Sequence, residues 1–203
     1  FPGLLMVKVM LGRLEEVRAP SRWVTVLAIA MLHGSYTFIM GIMEGGDTPS
    51  YLYWADRLIT SGFAYPALLA EADTGFPAIL YALFATLLAW LRIVFGDGDR
   101  VALVAINFAA HVFLGMLLVR LAVRTTGMGA AGWAALLLFL GCLEIVRWVP
   151  FILSDATFVC LAFSVFALAA ARILQEKHRW LPVLPLAAAA IFYRPTGMVL
   201  LPD

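Results

Sequence analysis

Residues 76–95 read FPAILYALFATLLAWLRIVF, and the placement of this stretch decides the fold. It is apolar up to Arg92, yet short for a membrane crossing, and Pro77 stands near its start. On either side, charges divide the chain into longer apolar stretches at 23–43, 101–119, 125–143, 148–171 and 180–201. The first three carry no formal charge, the fourth is interrupted by Asp155 alone and the last by Arg194 alone. A helix rises about 1.5 Å per residue, so about 20 apolar residues cross a hydrocarbon core of about 30 Å. Basic residues beside a span favour the cytoplasmic side. Lys8, Arg13, Arg18 and Arg22 therefore put the N-terminus inside. If 76–95 crosses, two basic loops fall outside: Arg120 with Arg124, and Arg172 with Lys177 and Arg179. If it does not cross, both loops turn inward, while Asp97, Asp99 and Asp155 turn outward to join Asp47. The sequence thus predicts an all-α, polytopic transmembrane helical bundle of about five spans. Residues 76–95 become an interfacial or re-entrant helix on the outer face.

Composition agrees with this class. The chain has 203 residues, 64% hydrophobic and 13% charged, with mean hydropathy +0.96. Soluble domains are nearer half apolar and a quarter charged. A net charge of +1 without a basic run speaks against nucleic acid as a partner. Cys142 and Cys160 lie in apolar runs with no CxxC pair, so neither redox chemistry nor a zinc site is signalled. Residues 1–22 are expected to form a cytoplasmic interfacial segment, because charges interrupt their apolar residues and no small-residue cleavage site follows. Residues 23–203 are expected to form the N-terminal part of a single transmembrane domain. Asp203 follows directly on an apolar run, and the chain is expected to be the N-terminal part of a longer protein.

The first outer loop is the richest stretch: Glu44, Gly45, Gly46, Asp47, Thr48, Pro49, Ser50 and Tyr51, running on to Gly62. Asp47 or Thr48 suits an N-cap, Pro49 the first helical turn and Gly62 the C-terminal cap. Tyr51, Leu52, Ala55, Leu58 and Ile59 share one helical face. The expectation is a short amphipathic helix on the membrane, with an acid fixed at its start. Asp47 is then either a cap or a functional carboxylate.

A second acid stands in the stretch from Trp148 through Pro150 to Phe158. Ser154 is placed as N-cap of a membrane helix with Asp155 in its first turn. An ionisable group in so apolar a run is costly and is a functional candidate. The helix dipole alone also favours an acid there. Arg147 precedes it, and Arg194 lies near the outer end of the last stretch. Each arginine either snorkels to headgroups or clamps a phosphate through its planar fork. Glu144 is placed to pair with Arg147. His33 is expected to be a packed, hydrogen-bonded interior residue. Asn107 and His111, four apart, are expected to bond a neighbouring helix. Residues 127–135, rich in Ala and Gly, read as close helix packing. No metal-ligand spacing and no GxGxxG, Walker or HExxH pattern occurs.

Three groups of residues resemble one family. They are Gly46-Asp47 followed by Tyr51, Leu52, Ala55, Leu58 and Gly62; then Leu153-Ser154-Asp155-Ala156 after Pro150; then Arg194-Pro195 with Gly197. In order and spacing the chain resembles the N-terminal half of the GT-C fold glycosyltransferases that use polyprenyl-phosphate sugars. That group includes the protein mannosyltransferases and lipid A aminoarabinose transferases. The resemblance covers nearly all of the chain after residue 22. It departs in having a single acid at Asp47 rather than an acidic pair, and in having no basic residue before Pro77.

The resemblance implies a transferase in a bacterial inner membrane with its site on the outer face. The donor is a polyprenyl-phosphate-linked sugar, and the acceptor is a lipid, glycan or protein hydroxyl. Asp47 is implied as the catalytic base. Asp155 is implied as a second catalytic carboxylate, orienting the acceptor or binding a divalent ion such as Mg or Mn. Arg194, Arg147 and Tyr51 are implied as substrate contacts. One carboxylate acting from the acceptor side implies inversion at the anomeric carbon. The alternative from another class is a multi-pass transporter or lipid flippase, which would be expected to show internal repeats and mid-depth polar groups. No repeat is visible, and both acids sit at an outer surface.

Overall fold

The computed structural model describes residues 16–66, 81–174 and 183–194, and these are mostly helical, with no strand among them. Most of the expected interfacial segment, Pro77, Lys177, Arg179 and the side chain of Arg172 lie outside the described residues. The helices are α1 (Arg22–Met40), α2 (Thr48–Thr60), α3 (Ala82–Phe95), α4 (Asp99–Thr126), α5 (Gly129–Gly141), α6 (Leu143–Val146), α7 (Asp155–Leu174) and α8 (Val183–Tyr193). Two stretches are long and apolar enough to cross a membrane, Arg22–Met40 and Ala82–Thr126. The second is divided by a 3-10 turn at Gly96–Gly98. Gly129–Gly141, Asp155–Ala170 and Val183–Tyr193 are shorter apolar helices.

Polar residues fix which helix ends meet. Glu44, just past α1, pairs with Arg100 at the start of α4. Met43 forms an isolated parallel bridge with Phe151, just before α7. Arg194, just past α8, pairs with Asp155, the first residue of α7. The outgoing ends of α1 and α8 and the incoming ends of α4 and α7 therefore gather at one end of the bundle. α4 and α5 form a hairpin closed by Gly127, whose φ of +72° is the left-handed conformation that glycine adopts without steric cost.

α2 and α3 both belong to that same end. α3 packs lengthwise on α2: Tyr81, just before it, touches Tyr51 and Trp54, and Phe84 touches Tyr193. At its other end Arg92 binds both Asp56 of α2 and Asp99 of α4. A helix that met opposite ends of the bundle would not find Tyr193 and Asp99, two site-end residues, at its two termini. The apolar face expected for α2 is buried here, with Tyr51, Ala55 and Leu58 joined by Trp54. Gly62, with φ +65°, ends α2 as expected.

Between the ends, small residues and a histidine pair hold the bundle together. His33, in a π-helical turn of α1, has its Nδ1 2.7 Å from His111 Nε2 of α4 and its Nε2 2.9 Å from the Leu140 carbonyl of α5. The carbonyl only accepts, so His33 carries its proton on Nε2 and His111 donates from its own Nε2 to His33 Nδ1. Three helices are thus linked by two bonds in an apolar interior. Gly115 of α4 lets α1 and α5 approach: a Cβ there would collide with Ile29 Cδ1 and lie 2.8 Å from Phe139 Cε1. The close packing expected of residues 127–135 is present at Gly132, where a Cβ would lie 2.7 Å from Val123.

Candidate functional site

The two loops that carry the acids are zipped together. Met43 N–H donates to the Pro150 carbonyl at 2.9 Å, and Ile152 N–H donates to the Met43 carbonyl at 2.9 Å. Thr48 Oγ1 donates to the Ile152 carbonyl at 2.9 Å and accepts from Gly45 N–H at 2.9 Å. A Cβ on Gly45 would lie 2.9 Å from Leu153 Cδ1, so glycine is what permits this approach. From below, buried Asn107 of α4 donates to the Val149 and Phe151 carbonyls and accepts from Thr157 of α7. This is the neighbouring-element bonding expected of Asn107. It satisfies backbone groups in the irregular turn before α7 that no helix would satisfy.

The turn at Asp47 differs from a side-chain cap. Asp47 occupies the N-cap position of α2, but its carboxylate makes no capping bond and its backbone is helical, φ −86° and ψ −11°. N-capping by a side chain calls for an extended backbone at that residue. Thr48, the other candidate, is spent on Gly45 and Ile152. The Asp47 side chain is therefore exposed and uncommitted to the helix. Ser154 stands at the N-cap position of α7 and its carbonyl accepts from Phe158 N–H at 2.9 Å. Its buried hydroxyl makes no capping bond.

Asp155 binds Arg194, and each side chain is 28% exposed. The charged residues of the second and third groups in the sequence resemblance are thus direct partners. Tyr51 and Tyr81, with ring centres 5.4 Å apart, feel the charges of both Asp47 and Arg194. Burial pushes the Tyr51 hydroxyl above its usual range; contact with Ser154 and the charge of Arg194 oppose this, while Tyr81 and Asp47 add to it. Burial likewise raises Tyr81; Arg194 and Tyr51 oppose, while Asp47 and Asp155 add. Asp47, Asp155, Arg194, Tyr51 and Tyr81 thus share one electrostatic neighbourhood, with both phenols held protonated. Phe84 supports Tyr51 from below with ring centres 4.9 Å apart, and Tyr193 lies 5.3 Å from Phe84.

Arg147 is engaged elsewhere. It pairs with Glu144 at 3.1 Å, as expected, and its guanidinium lies 4.7 Å from the Trp148 ring centre. Among the described residues, no three of His, Cys, Asp and Glu converge to hold a metal ion. Sequence reasoning missed Tyr81 and Tyr193, and gave Thr48 only as a candidate cap. Tyr81 lay in the stretch read for topology alone. Tyr193 directly precedes Arg194, and that adjacency was the available signal. Compared with protein-family models, with curated proteins and with solved structures, the chain matches none.

Proposed function

We propose that the chain is part of a membrane glycosyltransferase that moves a sugar from a polyprenyl-phosphate donor to an acceptor hydroxyl at the outer face. In this reading the apolar stretches that contain α1, α4, α5, α7 and α8 cross alternately, and α2 and α3 stay at the outer face. The support for the topology is that both ends of α3 meet outer-end residues, Tyr193 and Asp99, while the loop charges divide as the basic-inside bias requires. The single observation that carries the chemistry is a carboxylate left uncommitted at Asp47, acting on the same two tyrosines, Tyr51 and Tyr81, as the guanidinium that Asp155 holds.

Each group then has a task. The acceptor oxygen attacks the anomeric carbon as Asp47 takes the hydroxyl proton. The bond from that carbon to the phosphate oxygen breaks, and the electron pair leaves with the phosphate. Arg194 stabilises the charge gathering there. Its fork has five N–H donors, so binding Asp155 through one nitrogen leaves others for phosphate. Asp155 fixes the direction of the fork. Tyr51 and Tyr81, kept protonated, serve as neutral donors to the sugar or phosphate. One displacement from the side opposite the phosphate inverts the anomeric carbon.

The test is a thin-layer transfer assay on membranes containing the protein, supplied with labelled polyprenyl-phosphate hexoses and pentoses. The proposal expects label to pass from the donor to an endogenous acceptor. Movement of intact donor across the membrane without label transfer would instead identify a flippase.

A further inference from the structure

The opposite end of the bundle carries a groove of about 640 Å³ between the start of α1, the second half of α4 and α7. Along α4, Phe113, Met116, Leu117, Arg120 and Arg124 line it, at positions i, i+3, i+4, i+7 and i+11 of one helical face. The wall is apolar at mid-helix and becomes cationic toward the helix C-terminus. Arg22 at the start of α1 adds a third guanidinium, 5.2 Å from the ring centre of its neighbour Trp23. All three arginines are exposed, and no carboxylate of the described residues pairs with them.

The dimensions name an occupant. From Phe113 to Arg124 the helix advances about 16 Å at about 1.5 Å per residue. Half of a hydrocarbon core of about 30 Å is about 15 Å. The groove is one leaflet long, apolar where acyl chains lie and positive where headgroups lie. Basic pockets between membrane helices on the cytoplasmic side suit anionic lipid headgroups.

We infer that this groove is a binding site for an anionic phospholipid of the cytoplasmic leaflet. Its phosphate lies against Arg22, Arg120 and Arg124, and one acyl chain runs along Leu117, Met116 and Phe113. The site is remote from Asp47 and Asp155, so it rests on the membrane placement proposed above and not on the transfer chemistry. A bound lipid there would tie α1, α4 and α7 together at the end where no polar network like that around Asn107 joins them among the described residues.

The test is lipid retention by the purified full chain in detergent, with phosphatidylglycerol or phosphatidylcholine added and bound lipid counted by native mass spectrometry. Phosphatidylglycerol should be retained in preference to phosphatidylcholine. Arg120→Gln with Arg124→Gln should weaken its retention roughly 30-fold, the factor for about 1 kcal/mol per basic residue. Met116→Trp, which fills the apolar half without changing charge, should weaken both lipids equally, and circular dichroism checks that each variant keeps its helix content. Equal retention of the two lipids by the wild-type chain would overturn the inference, as would displacement of phosphatidylglycerol by polyprenyl phosphate alone. A chain that stays dispersed in water without detergent would instead refute the membrane placement, which separates the two failures.

Discussion

Arg194, one residue past α8, is the ion-pair partner of Asp155, the first residue of α7. The pair closes the chain back on itself beside the loop that carries Asp47. Neither residue is satisfied by its own helix, and the pair is only partly covered, so a substrate phosphate can share the guanidinium.

Removing one partner should therefore act on the donor. Asp155→Asn frees the fork of Arg194, and turnover should fall tenfold or more, about 1.4 kcal/mol. Arg194→Lys keeps the charge without the fork, and should raise the KM for the lipid donor. Steady-state kinetics on the purified variants checks both. Wild-type kinetics in each would reduce the pair to a tie between two helix ends.

The placement of α3 is tested by cysteine labelling in intact cells, in a background with Cys142 and Cys160 replaced. Gly98→Cys, in the turn between α3 and α4, should react with an impermeant maleimide. Thr126→Cys, at the end of α4, should react only after permeabilisation. The reverse pattern would mean that residues 76–95 cross the membrane.

His33 bonds both His111 and the Leu140 carbonyl in the interior. His33→Ala leaves two polar groups without partners, and an unsatisfied buried group costs about 1–3 kcal/mol. Thermal unfolding in detergent should show a lower midpoint. An unchanged midpoint would mean that water replaces the imidazole.

Alkaline pH should destabilise the fold through Tyr51 and Tyr81. Burial raises both hydroxyls above the ordinary value of 10.0, so the folded chain holds these protons more tightly than the unfolded chain. That contribution is complete below about pH 10 and is lost as pH rises toward the folded values. Tyr51→Phe should flatten the loss, measured as the unfolding midpoint between about pH 9 and about pH 11. An equal slope in the variant would place the sensitivity elsewhere.

Much of this was legible in the residues. The all-helical class follows from apolar stretches punctuated by charge, and α2 was readable from Pro49, Gly62 and the spacing of Tyr51, Ala55 and Leu58. The loop charges drew attention to Arg92 and Pro77, and Arg92 is where α3 meets Asp56 and Asp99. Asp155 and Arg194 were each visible as costly charges in apolar runs, but their pairing spans 39 residues. No local pattern encodes such a contact. The zipper of Met43, Thr48 and Ile152 was hidden for another reason. Its bonds are mostly backbone, and backbone groups leave no trace in side-chain identity. The same holds for Asp47, whose freedom from capping depends on the φ and ψ of one residue.

The most direct measurement is the rate of sugar transfer from a labelled polyprenyl-phosphate donor by Asp47→Asn protein in proteoliposomes, against wild type. Asn keeps the size of the side chain but cannot take a proton, and no capping bond is lost because none is made. The account predicts a fall of about 10²–10⁴-fold, the usual worth of a general base, with an unchanged unfolding midpoint. Transfer at the wild-type rate would contradict it and remove Asp47 from the chemistry.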